Sequence, residues 1–213
     1  AFLLYFEALR LTDISLSMPM LSLTPLFLLV TSFVLLGEFP SLMGVAGIFL
    51  IIVGSYLLHR MPKEQGILAP FRSIYKNKGV LFMVLVAFLF SISANFDKLV
   101  VLYSDVVFGS ALKFLFMGLC FLFVSLAGKR EGLQISWKQG AGFLVPGLFL
   151  TISIIAMNFA LTLSIVPYVV SLKRTSALFS VLYGGLLFKE KQVLQRGIGA
   201  LVMVMGVVLI LLG

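Results

Sequence analysis

Apolar stretches long enough to cross a lipid bilayer follow one another along almost the whole chain, and this feature constrains the fold most. A helix needs about 20 apolar residues to cross the ~30 Å hydrocarbon core. Complete stretches cover residues 14–36, 41–58, 79–102, 106–128, 140–163, 166–188 and 193–213, after a partial one at 1–10. With 61% apolar and 11% charged residues, the chain has too little polar surface for a soluble globule. We predict an all-α fold, a polytopic transmembrane helical bundle.

Basic residues are concentrated in the connections that fall on one side of this predicted bundle. Those on that side are Arg10, Arg60, Lys63, Arg72, Lys76, Lys78, Lys129, Arg130, Lys138, Lys189, Lys191 and Arg196. The other side carries Lys98. Because cytoplasmic loops are enriched in Lys and Arg, we predict that the first side, with the connection 59–78, is cytoplasmic in a bacterial or archaeal cell (inner) membrane. This asymmetry explains the net charge of +8, so no nucleic-acid partner is predicted.

The chain resembles itself when it is shifted by 152 residues, which aligns 1–58 with 153–210. Apart from leucines, the identical positions are Ala8 and Ala160, Phe27 and Phe179, Glu38 and Glu190, Gly47 and Gly199, and Gly54 and Gly206. Each Glu suits the positive end of a helix dipole, and the glycines leave one helix face smooth for close packing. Five predicted spans separate the two Glu turns, so the turns lie on opposite sides of the membrane. Inverted repeats of this kind are typical of transporters that alternate access about a central site.

The repeat divides the chain into three parts. Residues 1–58 are predicted to end a first five-helix repeat, 59–78 to connect the repeats, and 79–213 to form helices six to ten. The same offset places the start of the first repeat about 73 residues before Ala1. We therefore expect an N-terminally truncated sequence with about seven and a half of ten spans, and transport only by the full-length chain.

Three segments carry a resemblance to a known family. They are LLGEFPSLMGVAGIFLIIVGSYLL, LLFKEKQVLQRGIGALVMVMGVVLILL and VPYVVSLKRTSALFSVLYGG, and they resemble the drug/metabolite transporter superfamily in its EamA-type branch. The resemblance implies ten helices arranged as 5+5 and a secondary carrier of a small-molecule substrate. Members of this branch often place both termini in the cytoplasm, whereas the basic loops here place Gly213 outside. A proton or an exchanged counter-substrate could drive transport, and monomer and homodimer both remain open.

Ionisable residues within predicted spans are few, and each is costly in lipid unless it faces the bundle interior or an aqueous cavity. With nearby polar side chains, they give the predicted substrate-binding residues Lys173, Arg174, Lys113, Asn95, Asp97, Asn158 and Tyr168. For the uncharged members of this set, hydrogen bonding between helices is the alternative.

The adjacent pair Lys173 and Arg174 suggests the class of substrate. The two side chains diverge by about 100° on a helix, so one can bind ligand while the other pairs with Asp97 or reaches outwards. The pair is similar to the one that holds substrate phosphate in triose-phosphate and nucleotide-sugar translocators, which implies a phosphorylated or carboxylated substrate. The planar donor fork of Arg suits such anions independently of that resemblance. Export of amino acids or cationic drugs is the alternative.

Two further features bear on coupling and movement. Glu7 is predicted to pair with Arg10 at the membrane edge, with a proton-coupling carboxylate as the alternative. Pro19, Pro25 and Pro146 lie within or at the start of spans, where they can break or kink helices and form hinges.

Other functional classes are disfavoured. His59 lies in a basic loop and Cys120 in a span, and the sequence has no HExxH motif, Gly-rich phosphate loop or nucleophile with an evident base, so neither an enzyme nor a cofactor is predicted. A channel or a structural membrane subunit remains an alternative class, although the inverted repeat is expected for alternating access and a passive subunit does not need charged residues in the bundle interior.

Overall fold

The structure is a computed structural model that describes residues 1–12, 14–59, 77–127, 142–179, 183 and 193–213. Its helices are α1 (Phe2–Leu11), α2 (Ile14–Leu21), α3 (Thr24–Leu36), α4 (Leu42–His59), α5 (Lys78–Tyr103), α6 (Val106–Ala127), α7 (Leu144–Leu163), α8 (Val166–Arg174) and α9 (Val193–Leu212). These described ranges contain no strand, so the predicted all-α fold is confirmed. Most of the predicted connection 59–78, and Glu190, lie outside the described residues.

Several of these helices suit a bilayer. The segments long and apolar enough to cross one are Pro19–Leu36, Lys78–Tyr103, Val106–Val124 and Leu144–Leu163, and shorter apolar helices cover Leu42–Leu58 and Gly197–Leu212. Large apolar side chains such as Phe123 and Leu148 are exposed, as expected where lipid replaces water. The chain is therefore an integral membrane protein of several helical spans.

Two of the predicted spans are not continuous helices. The span 14–36 is interrupted at residues 22–23, between Pro19 inside α2 and Pro25 in the first turn of α3. A proline has no N–H to donate to the carbonyl four residues earlier, and its ring crowds that carbonyl, so the helix breaks between the two prolines.

The other interrupted span, 166–188, ends its first helix at Arg174 and turns at Thr175 before helix resumes. The Thr175 hydroxyl donates to Leu172 O at 2.6 Å, and this local bond competes with regular helix geometry. The interruptions at residues 23 and 175 are related by the offset of 152 residues that defines the sequence repeat. The sequence predicts that Pro19 and Pro25 can break or kink the first of these spans, and the structure shows the break there, whereas the turn at Thr175 was not predicted.

The described chain forms two compact units. The first comprises Ala1–Asn95 and Ile165–Gly213, and the second comprises Phe96–Ser164. In the first unit, buried apolar side chains of α4 and α9 form one cluster, and α1, α2 and α5 contribute to another. The second unit contains the end of α5 with α6 and α7. Helices α8 and α9, which the sequence assigns to the second repeat, thus pack with helices of the first.

Helices α4 and α9 pack backbone against backbone through glycines. A Cβ atom built at Gly47 would lie 2.6 Å from the carbonyl oxygen of Gly206, and one at Gly54 would lie 2.6 Å from that of Gly199. The early glycine of each helix meets the late glycine of the other, so the helices run antiparallel. Since the repeat aligns Gly47 with Gly199 and Gly54 with Gly206, a two-fold operation that exchanges the helices also exchanges the two contacts.

Candidate functional site

Arg174, the last residue of α8, reaches the interruption between α2 and α3. Its Nη2 donates to the carbonyl oxygen of Leu21 at 2.9 Å and to the hydroxyl of Thr24 at 2.8 Å. The Thr24 hydroxyl itself donates to Leu21 O at 2.7 Å. In an unbroken helix this carbonyl would accept the N–H of residue 25, but Pro25 has none. The guanidinium therefore satisfies an acceptor that the proline leaves open.

The two members of the basic pair differ in their surroundings. Lys173 is exposed, whereas Arg174 is half-buried against the helix interruption. Both acceptors of Arg174 are neutral, and within the described part of the chain no carboxylate forms an ion pair with it. The interruption thus holds a positive charge that a carbonyl dipole and a hydroxyl solvate.

The first turn of α8 is bound by the segment that joins α3 to α4. The Glu38 carboxylate accepts the N–H of Val166 at 3.0 Å, which places its charge at the positive end of the α8 dipole. The sequence predicts this role for Glu38, although the structure shows it at the N-terminus of α8, a helix far along the chain.

Tyr168 lies two residues further along α8 and holds the start of α4. Its hydroxyl accepts the N–H of Ser41 at 3.2 Å and lies 3.3 Å from the Ser41 Oγ. The phenol ring occupies the space where a side chain at Gly44 would lie. Tyr168 therefore fixes α8 against α4, and a glycine is needed at position 44.

Asn95 forms a closed hydrogen-bond network within the first unit. Its Nδ2 donates to Thr31 Oγ1 at 3.1 Å and to Ser91 O at 2.9 Å, and its Oδ1 accepts the Ser32 hydroxyl at 2.7 Å. The side chain is fully buried. Both amide hydrogens are used, so a substrate would have to displace one of these partners. The network joins α5 to α3.

The second unit contains an ion pair between α5 and α6. Lys113 Nζ lies 2.5 Å from Asp97 Oδ2, with side-chain exposures of 37% and 15%. Lys113 thus neutralises Asp97. The sequence predicts both residues in the substrate site, but it does not predict that they pair with each other.

Two more polar contacts bind α7 within the second unit. Lys98 is buried and donates to the carbonyl of Ser164 at 2.8 Å, at the C-terminal end of α7, where a positive charge complements the helix dipole. The buried amide of Asn158 donates to the Ser110 hydroxyl at 2.7 Å and so joins α7 to α6.

The predicted site residues thus fall into two sets. Lys173, Arg174, Tyr168 and Asn95 belong to the first unit, and Asp97, Lys113 and Asn158 belong to the second.

The sequence analysis missed the carbonyl of Leu21 as a functional group. A proline four residues after an apolar position was the available signal for such an acceptor. Across the described residues, no cluster of three or more His, Cys, Asp or Glu side chains could hold a metal ion.

Comparison with known proteins gives two matches. The profile described as the EamA-like transporter family matches residues 1–60 and 77–212. A protein of Archaeoglobus fulgidus described as an uncharacterized transporter is 25% identical over 210 residues, which cover 98% of this chain and 70% of that protein. No solved structure matches significantly.

Proposed function

The chain belongs to the EamA-like transporter family and is a membrane transporter, and we propose that it carries a small phosphorylated or carboxylated metabolite by alternating access. Transport would be driven by a gradient, for which a proton is the candidate ion, or by exchange against a counter-substrate. The proposed site includes Arg174 and Lys173 of α8.

The observation that carries this proposal is the charge of Arg174 inside a predicted span. A charged group in a membrane span is costly and marks a substrate or ion pathway in most cases. Here Nη2 contacts neutral acceptors, so the positive charge remains to attract an anion. Phosphate and carboxylate oxygens match the planar donor fork of a guanidinium.

Alternating access is supported by features that recur at the repeat offset. The α2–α3 interruption and the turn at Thr175 are equivalent under this offset, and α4 and α9 pack through equivalent glycines. Paired discontinuous helices in the two halves of a transporter commonly mark its substrate site. We therefore propose that residues 1–58 and 79–213 belong to two inverted halves that rock about this region.

The contacts of the acidic residues speak against the rival substrates. A carboxylate is a strong partner for the amine of an amino acid or a cationic drug, and among the described residues Asp97 is already bound to Lys113. Glu7 lies 3.1 Å from Arg10, as the sequence predicts, so it too is paired.

Ligand-dependent thermal stabilisation tests the proposed substrate class. We expect phosphorylated sugars or carboxylates to raise the melting temperature of the purified full-length protein, since a ligand present at about 100 times its Kd stabilises the folded state by roughly 2.7 kcal/mol. Amino acids and cationic drugs complete the panel.

Two variants locate the response. Arg174→Ala should abolish the shift caused by anions, whereas Arg10→Ala, which removes an exposed arginine, should leave it intact. Stabilisation by cations or neutral amino acids alone, or an unchanged response in Arg174→Ala, would overturn the proposal.

A further inference from the structure

Arg174 uses a single nitrogen for both of its contacts with the helix interruption. Nη2 contacts Leu21 O and Thr24 Oγ1, and among the described residues neither Nε nor Nη1 has a hydrogen-bond partner, although the Tyr5 side chain interacts electrostatically with the guanidinium. A guanidinium has two forked edges, Nε with Nη2 and Nη1 with Nη2, and Nη2 belongs to both. Phosphate and carboxylate groups are bound most strongly across such an edge.

From this geometry we propose that Arg174 is shared between the helix interruption and the substrate, so that an anion releases the α2–α3 interruption when it binds. The inference rests on the proposed function, because it needs an anionic substrate at Arg174. An anion can take either forked edge only if Nη2 gives up Leu21 O or Thr24. Binding and release of the interruption are then one event.

Pro25 maintains the interruption that makes this coupling possible. Because residue 25 has no N–H, Leu21 O needs a donor from elsewhere, and Arg174 supplies it. Thr24 alone cannot replace this donor fully, since a carbonyl oxygen has two acceptor sites. Pro25 is thus a positioning residue for Arg174, although its ring has no polar group.

Most substitutions near a binding site weaken binding, whereas Pro25→Ala should increase the affinity for an anion. Alanine restores the N–H, which can donate to Leu21 O and release Nη2 before any anion arrives. The anion then no longer has to displace that contact, so its affinity should rise by about tenfold, the factor that corresponds to one hydrogen bond to a charged group. Pro146→Ala in α7 is the matched control and should leave the affinity unchanged.

The binding experiment uses inorganic phosphate and acetate, the minimal forms of the two proposed substrate classes. Their Kd values are obtained by thermal stabilisation of the full-length protein, its Pro25→Ala variant and its Pro146→Ala variant. Tighter binding by Pro25→Ala alone supports the shared arginine. Equal or weaker binding by Pro25→Ala overturns it, while binding by the parent would leave the proposed function standing. If neither probe nor any larger anion binds the parent, the proposed function fails, and release by an anion fails with it.

Hydrogen exchange tests the interruption itself without ligand. The N–H groups of Leu26 and Phe27 both donate to Leu23 O in the first turn of α3 and report on its stability. Arg174→Ala should accelerate their exchange by about tenfold or more. In the Pro25→Ala background the same substitution should have a much smaller effect, because the restored N–H replaces the guanidinium. Equal acceleration in both backgrounds would show that Arg174 does not replace the missing N–H.

Discussion

A methyl group at position 206 is expected to destabilise the packing of α4 against α9. A Cβ atom built on Gly206 would lie 2.6 Å from the carbonyl oxygen of Gly47 and 2.8 Å from Cγ1 of Ile51. Since Cβ atoms rarely approach other atoms closer than 3.0 Å, the helices would have to separate by about 0.4 Å. The nearest atom belongs to the backbone, so a side-chain rotation cannot relieve the contact.

The cost follows from the rigidity of both partners. Adding a methylene to a packed interior costs about 1–3 kcal/mol, and a backbone neighbour places Gly206→Ala near the upper end of that range. For a chain of this size, 1 kcal/mol corresponds to roughly 2–4 °C in melting temperature, so we expect a decrease of about 5–10 °C. The matched control is Gly118→Ala in α6, where nothing lies within 4 Å and alanine favours the helix.

A second substitution separates packing from a general effect of alanine. Gly47 and Gly206 meet at one point, so the double variant should lose less stability than the sum of the single variants, because the first methyl has already moved the helices apart. Thermal unfolding in one detergent measures all five proteins: the parent, the three single variants Gly206→Ala, Gly47→Ala and Gly118→Ala, and the double variant. If Gly206→Ala melts with the parent, or if Gly118→Ala loses as much stability, the account of the glycine contact is wrong.

Substitutions at three further polar contacts are tested by thermal unfolding. Asn95→Ala should lower stability by about 1–2 kcal/mol through loss of its buried network, and loss of ligand response at unchanged stability would instead place Asn95 in the substrate site. Glu38→Gln should lower stability by about 0.3–1 kcal/mol because it removes the charge at the start of α8, and no change would show that an amide caps Val166 as well. Lys113→Ala should destabilise the protein more than the double variant Lys113→Ala/Asp97→Ala does, because the single variant leaves the Asp97 carboxylate without its partner. A larger loss of stability in the double variant would contradict this.

The sequence predicts the elements of this protein well because a bilayer imposes simple rules. A helix in lipid must be long, apolar and internally hydrogen-bonded, and such stretches can be recognised without knowledge of their partners. The Glu7–Arg10 pair was also predictable, since residues three apart lie on one helix face. Pro19 and Pro25 indicated a break in one span, whereas the turn at Thr175 has no proline or glycine to mark it.

The partners of the polar groups could not be predicted, because they lie far apart in sequence. Arg174 satisfies a carbonyl about 150 residues away, and Glu38 caps a helix of the other predicted repeat rather than the one that follows it. The alternatives left open for Arg174 were a ligand, Asp97 or the membrane surface, and a main-chain carbonyl was not among them. Every residue type has a main-chain carbonyl, so the sequence does not mark which carbonyl acts as an acceptor. Only the position of Pro25 pointed to the carbonyl of Leu21.

Counterflow in proteoliposomes tests the central claim most directly. Vesicles containing the full-length protein are loaded with one phosphorylated or carboxylated compound at a time, and entry of the labelled compound is measured for the parent, Arg174→Ala and Arg10→Ala. The account predicts anion exchange by the parent and by Arg10→Ala, and none by Arg174→Ala. Exchange of cations or neutral amino acids alone, or undiminished anion exchange by Arg174→Ala, would contradict it.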